Sequence, residues 1–207
     1  MSQGGQALTP VFYDRLIFDG DSVIETDISL PEGCSIRVTL RDETKKTAQG
    51  VFSCGSSTNG YSARLYYGGS TNTTKRNMAM CYDSKSYIAN RDLNFSNSSY
   101  AFFMTPYGYG WGNDFYTYTK GTDHSSDGVL FLAPASSNQR FTGKMQTFYV
   151  YGSDASGNQS SNFSNYTPVI TLRPCTYNGQ AGMWYVEGSK FFGKTAGDGT
   201  LTVENAS

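Results

Sequence analysis

Apolar and polar residues alternate with a period of two along much of this chain, and that period predicts strands. The cleanest run is 34–41, where Ile36, Val38 and Leu40 face one way and Ser35, Arg37, Thr39 and Arg41 the other. Residues 22–30 alternate too, with Ile24, Ile28 and Leu30 on one face, and Pro31-Glu32-Gly33 forms a turn between the runs. The two are expected to form an antiparallel pair. Further strands are predicted at 51–54, 61–67, 78–82, 100–104, 129–133, 144–151 and 167–173. Turn residues separate them at intervals of roughly ten, which is sandwich spacing. No capped amphipathic helix, fixed-period repeat or low-complexity linker interrupts the pattern. The expectation is an all-β chain, an antiparallel β-sandwich of jelly-roll type. A flexible N-terminal arm covers 1–10 and a single sandwich domain covers 11–207.

The stretch 171–203 organises the C-terminal third. Thr171, Leu172 and Arg173 are expected to end a strand, because Pro174 has no N–H for a ladder. Asn178-Gly179 supplies a turn, and Met183-Trp184-Tyr185-Val186 is a compact strand. Glu187 to Lys190 turns back into Phe191-Phe192 as a hairpin, and Thr200 to Val203 is a last alternating strand.

Certain residues in this stretch carry a resemblance: Pro174-Cys175, then Gly182-Met183-Trp184-Tyr185, Lys190-Phe191-Phe192 and Gly197-Asp198-Gly199. With Phe18-Asp19-Gly20 and Ile24-Glu25-Thr26-Asp27-Ile28 near the start, the chain resembles concanavalin A-like, laminin-G-like domains. These occur in tail, fibre and surface proteins of bacteriophages and prophages of gut bacteria. The resemblance covers both ends and implies a concanavalin A-like sandwich serving in a virion.

Composition narrows the partners. Charged residues are 16% of the 207 and the net charge is −1, so nucleic acid has no electrostatic footprint. No apolar run approaches the ~18 residues of a spanning helix, so no membrane insertion is expected. Residues 1–6 lack the basic and apolar regions of a signal peptide, which predicts a chain made and kept in a host cytoplasm before assembly. Cys34, Cys54, Cys81 and Cys175 show no zinc spacing and read as free buried thiols.

Candidate chemistry concentrates in 106–128. Tyr107, Tyr109, Trp111, Tyr116 and Tyr118 alternate with small residues, and Asn113 and Asp114 stand among them. Flat rings stack on sugar faces and amides or carboxylates bond hydroxyls, so these seven are the candidate ligand-binding residues. The same segment also fits a cover over the core or a subunit interface. His124, the sole histidine, sits in Asp123-His124-Ser125. Contiguous loop residues do not make a triad, whose members must converge through the fold. Glu25-Thr26-Asp27 lacks the second acid of a two-carboxylate glycosidase, so no enzyme is expected. No cofactor is called for, with calcium a candidate only at Asp19-Gly20-Asp21 and at Asp154 to Asn158, both ordinary turn sequences as well.

The functional expectation is a non-catalytic bacteriophage virion protein, a head decoration, fibre or tail component located in the virion. It would assemble with other virion proteins and as a homo-oligomer, with contact to host-surface glycans in view. The alternative is a carbohydrate-binding module or adhesin for cell-surface polysaccharide.

Overall fold

The computed structural model describes residues 8–41, 49–56, 60–67, 75–82, 85–86, 89–92, 99–117, 128–133 and 140–206. The strands are β1 (Val11–Phe12), β2 (Arg15–Asp19), β3 (Ile24–Glu25), β4 (Ser35–Arg41), β5 (Gly50–Ser56) and β6 (Gly60–Tyr67). Next come β7 (Lys75–Tyr82), β8 (Lys85–Ser86), β9 (Ala89–Asp92), β10 (Ser99–Thr105), β11 (Gly108–Trp111) and β12 (Asp114–Thr117). The last six are β13 (Leu130–Leu132), β14 (Thr142–Tyr151), β15 (Pro168–Tyr177), β16 (Gln180–Tyr185), β17 (Lys190–Gly193) and β18 (Thr202–Glu204). Among the described residues the only helical turn is a 3-10 turn at Ser153–Ala155, and no helix could cross a membrane.

Two antiparallel sheets result. The larger runs β12-β11-β10-β4-β14-β15-β16-β17, with β1, β2 and β18 joined alongside. The smaller runs β3-β13-β5-β6-β7-β8, with β9 on β7. Alternation decides which side chains lie between them. Leu16, Phe18, Ile36, Val38, Leu40, Phe102, Met145, Phe148 and Leu172 meet Ile24, Phe52, Cys54, Leu65, Leu130 and Leu132 in one buried cluster. Phe52 meets Phe148 edge-on across the sandwich at 5.1 Å. Burying each such side chain stabilises the fold by about 1.5–3 kcal/mol.

Residues 22–30 and 34–41 do not pair with each other. β3 pairs with β13 in the smaller sheet, whereas β4 lies between β10 and β14 in the larger one. The turn at 31–33 crosses the sandwich, with Gly33 at φ 68° and the Cys34 N–H donating to the Pro31 carbonyl at 3.3 Å. Ile24, Ile28 and Leu30 still point into the same core as Ile36, Val38 and Leu40, from the opposite side. A strand end at Pro174 is also corrected, since β15 continues to Tyr177. β14 accompanies β15 only as far as Leu172, and β1 takes over at Cys175. Pro174 thus stands where the neighbour changes, and its carbonyl accepts the Tyr13 N–H at 3.0 Å. A missing donor costs little at that gap.

The C-terminal hairpin forms as expected, with Asn178 (φ 50°) and Gly179 (φ 74°) at one turn and Ser189 (φ 49°) at the next. Of the cysteines, Cys34, Cys54 and Cys175 are buried, and Cys34 and Cys175 are free thiols. The side chain of Cys81 lies outside the described residues, as does most of the arm at 1–10, of which Leu8 is exposed.

Candidate functional site

The seven residues expected to bind ligand do not share one accessible face. Tyr109 pairs with Tyr116 and Trp111 with Asp114 across β11 and β12, and the Tyr109, Trp111 and Tyr116 side chains turn to the sheet's inner side. Tyr109 is 4% exposed and belongs to the core cluster, with Trp111 and Tyr116 packed against it. Tyr116 stacks on Tyr109 at 5.6 Å and lies 5.2 Å from Trp111. The buried Tyr109 offers no ring face to a sugar. Tyr107 is exposed in the turn before β11, and Asn113 and Asp114 are exposed around the next turn. Tyr118 and His124 lie outside the described residues. The intervening glycines have a packing reason: a Cβ on Gly110 would meet the Asp114 carbonyl at 1.9 Å and the Phe103 ring at 2.7 Å.

A different site assembles on the outer face of the larger sheet. The registers place Phe115, Gly110, Phe103, Arg37, Tyr149 and Thr171 in one row across β12, β11, β10, β4, β14 and β15. Phe103, Tyr151, Ala155 and Phe163 form a second buried cluster there, separate from the main core. Residues 152–167 fold over this face and are anchored to it. Phe163 stacks on Tyr151 at 4.4 Å, and Ser35 Oγ donates to the Ala155 carbonyl at 3.2 Å. Arg37 Nε donates to the Ser161 carbonyl at 2.9 Å, and the Ser161 N–H donates to the Gly112 carbonyl at 2.8 Å. Asn158 Nδ2 bonds the carbonyls of Ser160 and Asn162, which tightens the segment internally.

Two adjoining cavities open beside it, of about 470 and 260 Å³, and both are lined by Arg37 and Tyr149. Tyr151, Phe163, Ser161, Asn162 and Ser164 line the larger. Thr39, Gln146, Thr147, Arg173, Tyr13 and Asp14 line the smaller. β14 bulges here, so that Gln146 and Thr147 both oppose Thr39, and a bulge re-aims side chains. The Arg37 guanidinium carbon stands 5.8 Å from the Tyr149 ring centre, and that of Arg173 4.1 Å from Phe12. Burial pushes the Tyr151 phenol above its ordinary pKa, against the Arg37 charge that lowers it, so the hydroxyl stays protonated at neutral pH. Tyr151 and Phe163 are buried against each other and form the groove's wall, so the groove combines the half-buried rings of Tyr149 and Tyr13 with hydroxyl, amide and guanidinium donors, which can hold a polyhydroxylated ligand edge and face.

The sequence carries local signals for this site. Arg37 and Thr39 are visible as outward residues of one strand, and Tyr149 and Tyr151 put aromatic rings on the polar side of another, 144–151.

The Asp-Gly-Asp turn serves another purpose. Asp19 accepts from the Asp21 N–H at 3.0 Å, from Ser22 Oγ at 3.1 Å and from the Thr200 N–H. Asp21 accepts from the Asp198 N–H at 3.1 Å and pairs with Arg140. Burial raises the Asp19 pKa, but these donors outweigh it and hold the carboxyl below its ordinary value. The two carboxylates tie β2 to the turn before β18. Among the described residues no group of three His, Cys, Asp or Glu side chains is placed to hold a metal ion. Asp27 pairs with Lys190 on the surface.

No protein-family model matches this sequence, and no curated protein matches it. Solved structures do. The heptameric SAP-like pentraxin from Limulus polyphemus superposes with a TM-score of 0.51 at 11% identity, over 66% of this chain and 75% of that one. A Bacteroides ovatus ATCC 8483 protein designated a "putative carbohydrate binding protein" superposes with a TM-score of 0.58 at 12% identity. That match covers 96% of this chain and 62% of the other, so this chain spans less than two thirds of that protein's length. At such identities the likeness speaks for the fold, and the fold is the concanavalin A-like jelly-roll sandwich.

Proposed function

We propose that this protein binds carbohydrate without cleaving it, in the groove on the outer face of the larger sheet. The observation that carries the reading is the pair of adjoining cavities built on Arg37 and Tyr149, where ring faces and hydrogen-bond donors stand together. The Bacteroides neighbour's designation supports the same class of ligand. Fold alone would not, because this sandwich hosts several kinds of work. The virion structural role implied by the sequence resemblance draws no support from either neighbour, so carbohydrate binding takes its place as the main reading. Homo-oligomers would let weak single sites act together, and the Limulus pentraxin is heptameric.

The test is a glycan array probed with the full chain, beside Tyr149→Ala. The native protein should bind a subset of glycans saturably, and loss of one ring face should weaken that binding roughly three- to tenfold. A folded native protein that binds nothing, or a Tyr149→Ala protein that binds as well as the native one, overturns the proposal.

A further inference from the structure

We infer that the glycan recognised by this groove carries an oxyanion, a carboxylate or a sulfate, held by Arg37 and Arg173. The inference rests on the carbohydrate reading above and adds the charge of the ligand. Arg37 and Arg173 both line the smaller cavity, one from β4 and the other from β15, with Tyr149 of β14 between them. Among the described residues neither has a carboxylate partner. Arg37 spends its Nε on the Ser161 carbonyl and leans on Tyr149, while Arg173 lies over Phe12. These contacts fix the planes of both guanidinium groups and leave the terminal nitrogens of each for a ligand. A ring-stacked guanidinium is pre-organised for planar, bidentate bonding to an oxyanion, which a lysine ammonium is not.

Four other cations contrast with this arrangement. Arg15 and Lys144 both bond Glu204 at 2.9 Å. Arg140 pairs with Asp21 and Lys190 with Asp27. A chain of net charge −1 thus commits these cations to carboxylates and leaves the two guanidinium groups of the groove without one. One acid lines the same cavity. Asp14 stands near Tyr13 with its Oδ2 accepting the Ala206 N–H at 2.8 Å. Two cations against one acid leave the cavity positive.

The experiment titrates the full chain with three oligosaccharides of equal length: an oligouronate, the same oligomer with its carboxyl groups reduced to alcohols, and a sulfated neutral oligomer. Native protein is compared with Arg173→Gln, Arg173→Lys and Arg37→Gln, each checked for a native unfolding midpoint. At least one acidic oligomer should bind ten times or more tighter than the reduced one. Its affinity should fall as salt rises. Arg173→Gln should remove most of the difference, and Arg173→Lys should restore only part of it. Preference for the oligouronate assigns a carboxylate, and preference for the sulfated oligomer a sulfate.

Equal binding of acidic and reduced oligomers overturns this inference and leaves the carbohydrate reading standing. Acidic binding unchanged in both Arg173→Gln and Arg37→Gln overturns it too, because the charge would then be read elsewhere. No binding of any oligomer, together with an empty glycan array, brings down both readings. Should Arg37→Gln fail to fold, the Arg173 variants decide alone, since Arg173 is an exposed strand residue whose contact here is with the Phe12 ring.

Discussion

Replacing Tyr109 by alanine should unfold the protein more easily and leave the groove's ligand binding intact. The ring is 4% exposed, stacks on Tyr116 at 5.6 Å and packs within the main core. Truncating a buried aromatic residue costs about 3–5 kcal/mol, because the void left behind closes only in part. Loss of the ring pair accounts for about 0.5–1.5 kcal/mol of that total. With a urea slope of about 2 kcal/mol per molar for a domain of this size, the midpoint should drop by roughly 1.5–2.5 M. Tyr107→Ala is the control: that side chain is 63% exposed, and its loss should move stability by no more than about 0.5 kcal/mol. Urea unfolding followed by tryptophan fluorescence and far-UV circular dichroism measures both. A Tyr109→Ala protein with the native midpoint and no carbohydrate binding would refute the reasoning, since the ring would then be an accessible platform.

Other substitutions test other parts of the account. Gly182→Ala should prevent normal folding or lower the midpoint steeply, because its Cβ would stand 2.3 Å from the Phe192 carbonyl oxygen; a native thermal midpoint would count against the packing described. Glu204 accepts from Lys144 and Arg15, which hold its pKa below the ordinary 4.5 despite some burial. A depressed acid stabilises the fold above its unfolded pKa and loses that contribution as pH falls through the native value. Glu204→Gln should therefore flatten the acid limb of a stability-against-pH curve below about pH 4.5, and an unchanged limb would contradict the linkage. Burial pushes the Cys34 thiol up to about 12, so alkylation at pH 8 should wait for unfolding, and modification of Cys34 in the native protein by mass spectrometry would contradict its burial.

Much of the sandwich could be read from alternation, since the side chains of Ile36, Val38 and Leu40 had to face a core. What alternation cannot state is which sheet a strand joins. The turn at Pro31-Glu32-Gly33 serves equally to fold a strand back beside its neighbour or to carry it across the sandwich, and the buried face is the same either way. Pro174 misled for a related reason: its effect depends on whether a partner strand needs its N–H, and the partner changes from β14 to β1 at that point. The site was harder. Tyr109 and Trp111 have the composition of a binding platform, but their direction is set by pairing with Met104 and Phe102 of β10, both core residues. Tyr149 and Tyr151 were visible on the polar side of β14. Their enclosure by residues 152–167 depends on contacts such as Phe163 on Tyr151, more than ten positions apart in sequence, and no local pattern announces it.

The most direct measurement is an amide-resolved NMR titration of the isotope-labelled chain with the oligosaccharide that binds best. Shifts should concentrate at the groove residues Arg37, Thr39, Gln146, Thr147, Tyr149, Tyr151, 161–164 and Arg173, on the outer side of the larger sheet. Shifts gathered instead at 107–117, with the outer face unmoved, would contradict it.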